Sequence, residues 1–102
     1  MDVKIKEAIE SLKNDCQKML DDNYKDNVNK PTLSISYGKK YAKLISKNQF
    51  SAGGSAWCFI DITNGDILKT ASWNAPAKHA RGNVLNDNRM KSVSPFGAVY
   101  LK

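Results

Sequence analysis

At the centre of the chain stands the stretch Ala56-Trp57-Cys58-Phe59-Ile60-Asp61-Ile62-Thr63-Asn64-Gly65-Asp66-Ile67-Leu68-Lys69. Its first half is rich in aromatic and β-branched residues, which favour strands. The string Thr63-Asn64-Gly65-Asp66 is a strong turn signal, because Asn and Gly tolerate a positive φ. From Ile67 to Trp73 the chain then returns antiparallel. This stretch therefore predicts a β-hairpin, around which the rest of the domain is organised.

The register of this hairpin has two solutions. A two-residue Asn-Gly turn pairs Ile62 with Ile67, whereas a three-residue loop with a bulge pairs Ile60 with Leu68. We prefer the second solution, because it places two large apolar residues opposite each other.

Two more strands are predicted before the hairpin. Leu33, Ile35 and Tyr37 alternate with polar residues, which is the period of a half-buried strand. Gly38-Lys39 has the composition of a tight turn, and residues 41–47 form the returning strand.

The N-terminal residues predict an amphipathic helix over residues 3–20, for which Asp2 is a suitable N-cap. Its apolar residues recur at spacings of three and four and form one stripe: Ile5, Ala8, Ile9, Leu12, Cys16, Met19 and Leu20.

These patterns predict an α+β fold in which the N-terminal helix packs on an antiparallel sheet of about four strands. The chain of 102 residues suits a single domain, 1–102. We expect the helix over residues 1–22, antiparallel strands over 32–73 and a basic loop region over 74–95. Residues 96–102 are expected to form a C-terminal strand or anchor, through four apolar residues: Phe96, Val99, Tyr100 and Leu101.

Composition narrows the range of possible functions. The formal net charge of +6 and the isoelectric point of about 9.4 favour an anionic partner, although many small proteins are basic only for solubility. No apolar run is long enough to span a membrane, and the N-terminus lacks the apolar stretch of a signal peptide, so we expect a cytosolic protein. Cys16 and Cys58 match no metal or redox spacing and are expected to be reduced core thiols.

The expected basic loop holds the main candidate site. Lys78, His79 and Arg81 lie close together, and Lys69 is on the strand leading in. Arg can hold a phosphate with two parallel hydrogen bonds. The remaining candidates accommodate the rest of a nucleotide: Trp73 or Tyr41 as a stacking surface, Gly82 as a place where backbone N–H groups approach an anion, and Asn83 as a reader of a base or ribose edge. The alternative is a solvated loop whose cations face water.

A second constellation lies on the predicted strands. It interleaves aromatic residues with lysines, which is how a sheet binds single-stranded nucleic acid. Its members are Tyr37, Tyr41, Trp57, Phe59 and Trp73, with Lys39, Lys40, Lys43, Lys47 and Lys69. Trp57 and Phe59 share one face of their strand and are expected in the core.

No pattern supports catalysis. His79 has no nearby carboxylate or nucleophile in the sequence, so we predict no catalytic residues and a protein that is not an enzyme. There is no metal-ligand spacing, no phosphate-binding loop and no dinucleotide motif, so we predict no metal and no cofactor.

The chain resembles a family of small, largely uncharacterised tailed-bacteriophage proteins. The resemblance is carried by Tyr41-Ala42-Lys43-Leu44-Ile45, Trp57-Cys58-Phe59-Ile60-Asp61, Thr63-Asn64-Gly65-Asp66-Ile67-Leu68-Lys69, Ala75-Pro76-Ala77-Lys78-His79-Ala80-Arg81-Gly82-Asn83 and Pro95-Phe96-Gly97-Ala98-Val99-Tyr100-Leu101. It implies expression in the cytoplasm of a bacterial host and supplies no activity.

Three functions are compatible with these residues. The first is a phage protein that binds single-stranded nucleic acid through the basic loop and aromatic stacking. The second is an anti-defence protein that sequesters a nucleotide signal or inhibits a host protein. The third is a virion structural or interaction module. The expected partner is an anionic ligand, with a host protein as the alternative; no membrane partner is expected, and a homo-oligomer is compatible with the sequence.

Overall fold

A computed structural model of the chain describes residues 2–23, 31–47, 54–73, 75–87, 89–94 and 97–98. Helix α1 (Val3–Asn23) precedes five strands: β1 (Thr32–Tyr37), β2 (Tyr41–Lys47), β3 (Ser55–Asp61), β4 (Asp66–Ser72) and β5 (Ala75–Asn83). A 3-10 helix (Arg89–Ser92) and the short strands β6 (Val93–Ser94) and β7 (Gly97–Ala98) follow. The first five strands form one antiparallel sheet in sequence order, and β6 pairs with β7. The predicted α+β class is confirmed, with five strands in the main sheet rather than about four.

Helix α1 begins at the predicted N-cap. The Asp2 carboxylate accepts a hydrogen bond from the backbone N–H of Lys4 at 2.7 Å, and the Asp2 carbonyl accepts one from Lys6 at 3.0 Å. The carboxylate bond satisfies a backbone donor of the first turn that has no carbonyl partner within the helix, and the carbonyl bond is the first of the regular helical series. The buried residues of α1 all belong to the predicted stripe: Ile5, Ile9, Leu12, Cys16 and Leu20.

The core lies between α1 and one face of the sheet. The sheet contributes alternate residues of β1 to β4, among them Leu33, Ala42, Leu44, Cys58, Ile60 and Ile67. Strand alternation directs the intervening residues Lys43, Phe59 and Leu68 to the other side, which we call the far face. Phe59 and Leu68 are buried there, outside the core cluster.

A bulge in β3 changes the position of Trp57. The partners of Leu44 and Ile45 are two residues apart in β3, which leaves Trp57 as the extra residue. Trp57 therefore joins the core cluster together with Cys58, whereas Phe59 does not. Both aromatic residues are buried, as predicted, but the prediction that they share one face is wrong.

The central hairpin forms where it was predicted, in a different register. Ile60 pairs with Ile67, and Phe59 pairs with Leu68. Neither predicted pairing, Ile62 with Ile67 or Ile60 with Leu68, is present. The loop is longer than both solutions assumed.

Asp61 explains the longer loop. Its carboxylate accepts hydrogen bonds from the backbone N–H of Thr63 at 2.9 Å and from the Thr63 hydroxyl at 2.5 Å. Its carbonyl accepts the N–H of Gly65 at 2.7 Å, and Gly65 has a φ of +86°. The Asn64 side chain accepts the N–H of Asp66 at 2.8 Å. These local bonds compete with the ladder and hold four residues in the loop.

Within the segment predicted as a basic loop, residues 75–83 form strand β5 at the edge of the sheet. Leu68 pairs with Ala80 and Thr70 with Pro76, so three residues of β5 stand opposite the single residue Lys69. For residues 75–83 the loop prediction is wrong, because it relied on apolar alternation. An edge strand pairs on one side only and tolerates cations, proline and bulges, so that alternation is not required.

The predicted C-terminal anchor is described only in part. Gly97 and Ala98 form β7, and Phe96, Val99, Tyr100 and Leu101 lie outside the described residues. Within the described ranges, no helix is long and apolar enough to cross a membrane.

Candidate functional site

An open pocket of about 270 Å³ lies on the far face at the β1–β2 hairpin. Register explains how it is built. Ser36 pairs with Lys43, and Lys43 pairs with Phe59, so three neighbouring strands each place one side chain in the same row. The hairpin adds Gly38, Lys39, Lys40 and Tyr41 to the lining. The pocket therefore combines three ammonium groups with two aromatic rings.

Gly38 shapes the turn that carries two of these lysines. Its N–H donates to the Tyr41 carbonyl at 2.9 Å, and a Cβ at Gly38 would lie only 3.1 Å from that oxygen. The missing side chain lets the hairpin close tightly. Lys39 and Lys40 are consequently exposed at its tip.

Two of the three pocket lysines, Lys40 and Lys43, lie against aromatic rings. Lys43 Nζ is 3.9 Å from the ring centroid of Trp73 and 5.9 Å from that of Phe59, and Lys40 Nζ is 5.4 Å from that of Tyr41. The rings of Tyr41 and Phe59 meet edge to face, with centroids 6.0 Å apart. Cation–π attraction at these distances orders the lysine side chains on the sheet. The ammonium groups of Lys40 and Lys43 therefore lie over aromatic rings beside the pocket.

Trp73 is the aromatic residue of this group with the most open surface. It is 43% exposed, whereas Phe59 is 3% exposed. Phe59 therefore forms the floor of the pocket. Trp73, at the end of β4, offers a ring on which a planar group can stack.

One carboxylate borders the lysine cluster. Asp61 pairs with Tyr41 across β2 and β3. Partial burial raises the pKa of Asp61, but hydrogen bonds from Thr63 and the charge of Lys40 outweigh it and hold this pKa below its ordinary value. Asp61 is therefore ionised at neutral pH and opposes one of the three positive charges.

The cations of β5 form a separate group. Lys78 and His79 are exposed, and Arg81 is half-buried with its guanidinium donating to the His79 carbonyl. None of the three lines the pocket at the β1–β2 hairpin, which lies across the sheet from β5. The structure thus places Tyr41 in the lining of the lysine pocket and Trp73 against its Lys43, and leaves the β5 cations at the opposite edge of the sheet.

Gly82 and Asn83 have structural roles. Gly82 pairs with Ile67. The Asn83 amide nitrogen donates to the Asn64 carbonyl at 2.8 Å and to an Asp66 carboxylate oxygen at 3.1 Å. Its amide oxygen accepts the backbone N–H of Leu85 at 2.9 Å. A side chain with both ends engaged holds β5 to the central hairpin loop, so we assign it no ligand contact.

Lys69 is placed apart from the pocket. Strand alternation puts it on the face of Ile67, opposite the face that carries Leu68, and its side chain is half-buried. Of the second constellation, Tyr37 also lies elsewhere, since it lines a groove between β1 and Glu10 of α1. Burial and the Glu10 carboxylate raise the pKa of Tyr37.

The cysteines are buried and unpaired, as predicted. Burial, reinforced by the charge of Asp15, raises the pKa of the Cys16 thiol to about 12. Burial likewise raises the pKa of Cys58. Neutral buried thiols are poor nucleophiles and poor metal ligands. Within the described ranges, no three His, Cys, Asp or Glu residues lie together as a metal site.

Charge is unevenly distributed along the chain. Residues 32–102 contain ten of the sixteen Lys and Arg residues but only three of the ten Asp and Glu residues. Residues 1–31, which include α1, contain six basic and seven acidic residues. The positive excess therefore comes from the part of the chain that includes the main sheet.

From the sequence, the pocket lysines are recognisable only as members of a broad set of lysines and aromatic residues on the predicted strands. The informative signal was the spacing of Tyr41 and Lys43 on β2, because alternate residues of a strand share a face. This spacing does not reveal the whole pocket lining. Ser36 joins the lining through the pairing of β1 with β2, and Phe59 joins it through the pairing of β3 with β2.

The fold and the pocket define a small α+β domain with one helix-covered sheet face and one face rich in lysines and aromatic rings. Over residues 3–95 the chain matches a family described as "Family of unknown function (DUF7717)", and it belongs to that family. No curated protein and no solved structure matches the chain. The link to tailed bacteriophages stays a prediction.

Proposed function

We propose that this protein binds single-stranded nucleic acid on the far face of its sheet and catalyses no reaction. The observation that carries the proposal is the pocket lined by Lys39, Lys40 and Lys43. The ring of Trp73 lies next to it, against the ammonium group of Lys43. Ammonium groups neutralise phosphates, and each base that stacks on an aromatic side chain contributes about 1–3 kcal/mol.

A single strand fits this surface better than a duplex. The stacking surface is the exposed ring of Trp73, which requires an unpaired base. In a duplex, the faces of the bases are already stacked on one another. The lysines supply charge without base-edge recognition, so the expected binding is tolerant of sequence.

A second candidate function is the capture of one mononucleotide. The observation behind it is that the pocket is concave and combines lysines with aromatic rings; its volume of about 270 Å³ is just below the roughly 300 Å³ at which small-molecule sites begin, so the ligand would be no larger than one nucleotide. The two functions differ in which molecule can occupy the site fully. A mononucleotide site is saturated by the free nucleotide, whereas a strand-binding surface needs a longer ligand.

The test compares two variants of equal charge. One replaces the pocket lysines (K39Q, K40Q, K43Q), and the control replaces three exposed lysines of α1 (K4Q, K6Q, K18Q). Affinity for a fluorescein-labelled oligothymidylate is measured by anisotropy over a series of salt concentrations. The slope of log K against log salt is about −0.7 per phosphate contact on a single strand, so the pocket variant should lose a slope of about 2.

The α1 variant should bind much like the wild type. Equal losses in the two variants would mean that net charge alone drives binding, and would contradict the proposed site. Undetectable binding of the wild type at low salt would contradict the function. Displacement of the labelled strand by stoichiometric mononucleotide would favour the second candidate.

A further inference from the structure

We propose that the β5 cations are a second contact for the same strand, so that the nucleic acid crosses the sheet at right angles to its β-strands. This inference rests on the proposed function. It adds a subsite, Lys78 and Arg81, at the opposite edge of the sheet from the lysine pocket.

The register of the sheet defines the path. Ser36, Lys43, Phe59, Leu68 and Ala80 are successive partners across β1 to β5. Partners that are directly opposite each other share a face, so this row crosses the whole far face. Neighbouring strands are about 4.8 Å apart, which places Ala80 about 14 Å from Lys43.

Charge lies near the two ends of this row and not at its middle: Lys43 is the second member of the row, and Lys78 and Arg81 are close neighbours of Ala80 in β5. Phe59 and Leu68 occupy the middle and are buried. Trp73 lies near the row, because the Nζ of Lys43 is 3.9 Å from its ring centroid and 5.9 Å from that of Phe59. A strand that crosses here meets cations, then an aromatic ring, then cations again, which suits phosphates at both ends with a stacked base between them.

The shape of β5 favours this role. Lys78, His79 and Ala80 are exposed in succession, which an alternating strand does not produce. The cause is the register shift that places three residues of β5 opposite one residue of β4. A bulged, lysine-bearing edge also prevents sheets from joining edge to edge, which is the competing explanation of the same feature.

The test is a length series. Affinities of labelled oligothymidylates up to about 16 nucleotides are measured at low salt for the wild type, for K78Q and for K78Q/R81Q. Once a strand reaches both cation groups, at about four nucleotides, the second contact becomes intramolecular. Affinity of the wild type should then rise in one step of about tenfold or more.

The variants should bind the shortest oligonucleotides like the wild type and lack this step, partly in K78Q and fully in K78Q/R81Q. K47Q is the matched control, since it removes one exposed lysine of β2 outside the row and should keep the step. K78Q retains the Arg81 side chain, so it remains informative if the double variant does not fold.

Two results would overturn the inference and leave the pocket proposal intact. One is wild-type binding without a step in the length series. The other is a step retained in K78Q/R81Q while light scattering shows new self-association, which would assign the β5 cations to protection of the sheet edge. Failure of every oligonucleotide to bind the wild type would instead contradict the proposed function itself.

Discussion

Gln17 shows how much a single side chain contributes to holding α1 on the sheet. Its amide nitrogen donates to the Pro31 carbonyl at 3.0 Å and to the Asp21 carboxylate at 3.1 Å. Its amide oxygen accepts the backbone N–H of Leu33 at 2.7 Å. Leu33 is at the edge of the sheet, so Gln17 satisfies a donor that has no neighbouring strand.

Gln17→Leu should therefore destabilise the fold by about 1–3 kcal/mol, since a similar volume is kept while partly buried polar groups lose their partner. Urea denaturation followed by circular dichroism measures the free energy of unfolding. The control is Lys18→Leu at the next, exposed position, where we expect a change within about 0.5 kcal/mol. Equal stability of the two variants would show that the Gln17 bonds contribute little.

The two tryptophans should report on binding differently. Trp73 is 43% exposed and Trp57 is 6% exposed. Addition of oligothymidylate should quench the emission of Trp73 by stacking and leave that of Trp57 nearly unchanged. In Trp73→Phe, the remaining emission comes from Trp57 and should not change when oligothymidylate is added. Trp73→Ala removes the stacking ring and should weaken binding by about 1–3 kcal/mol. Persistent quenching in Trp73→Phe would place the strand elsewhere.

The Cys16 thiol predicts a loss of stability at alkaline pH. Below the ordinary thiol pKa of 9.0, Cys16 is neutral in both folded and unfolded chains and adds no pH dependence. Between that value and about 12, the unfolded thiol ionises and the folded one does not. Its contribution to the free energy of unfolding should therefore fall by about 1.4 kcal/mol per pH unit.

Urea denaturation at about pH 8 and about pH 10 measures this dependence. Cys16→Ala is less stable at both pH values because it leaves a cavity, but it should show a shallower decline between them. An identical decline in both proteins would assign the effect to other groups.

At the scale of elements, the two hairpins illustrate different turn requirements. Gly65 has a φ of +86°, and a Cβ there would lie 3.0 Å from both Asn83 Oδ1 and Val84 Cγ2. Gly38 has no positive φ and meets only the Tyr41 carbonyl, at 3.1 Å. The loop at Gly65 also holds the end of β5, since the Gly65 carbonyl accepts the N–H of Val84 at 2.9 Å.

Gly65→Ala should therefore cost about 1–2 kcal/mol for the left-handed conformation, plus the cost of contact with the end of β5. Gly38→Ala is the matched comparison and should cost less. Thermal unfolding of both variants measures the difference. A larger loss for Gly38→Ala would mean that closure of the β1–β2 hairpin matters more than backbone strain at Gly65.

At the scale of the whole molecule, the 3-10 helix is tied to α1 by Arg89. Its guanidinium forms a salt bridge with Asp15 and a hydrogen bond of 2.8 Å to the Ser11 hydroxyl. It also donates to the Val84 carbonyl at 3.3 Å. These contacts engage Arg89 on the helix side of the molecule, so we do not count it among the cations of the far face.

The residues affected by a bound strand should lie on the far face and along β5, and not on the helix side of the molecule. Amide chemical shifts measured by NMR should change on addition of oligothymidylate at the β1–β2 hairpin, at Trp73 and along β5. They should change little along α1, which covers the opposite face. Changes concentrated on α1 would contradict both the site and the proposed path.

Local rules account for much of the fold. The apolar stripe of α1, the Asp2 cap and the turn residues of the central hairpin act within a few residues of one another, so the sequence predicted each of them. The same reasoning missed β5, because an edge strand is identified by the strand beside it and not by its own pattern. It also missed the bulge at Trp57, which exists only through the pairing of β2 and β3.

Patterns local to the chain were enough to predict a small basic α+β domain with an N-terminal helix and a central hairpin. Which cations meet aromatic rings depends on the folded sheet, since the contact between Lys43 and Trp73 requires a strand pairing that the sequence did not predict. The physical reason is that helix period, capping and turns depend on neighbours along the chain. Register and the composition of a sheet face depend on pairing between distant segments.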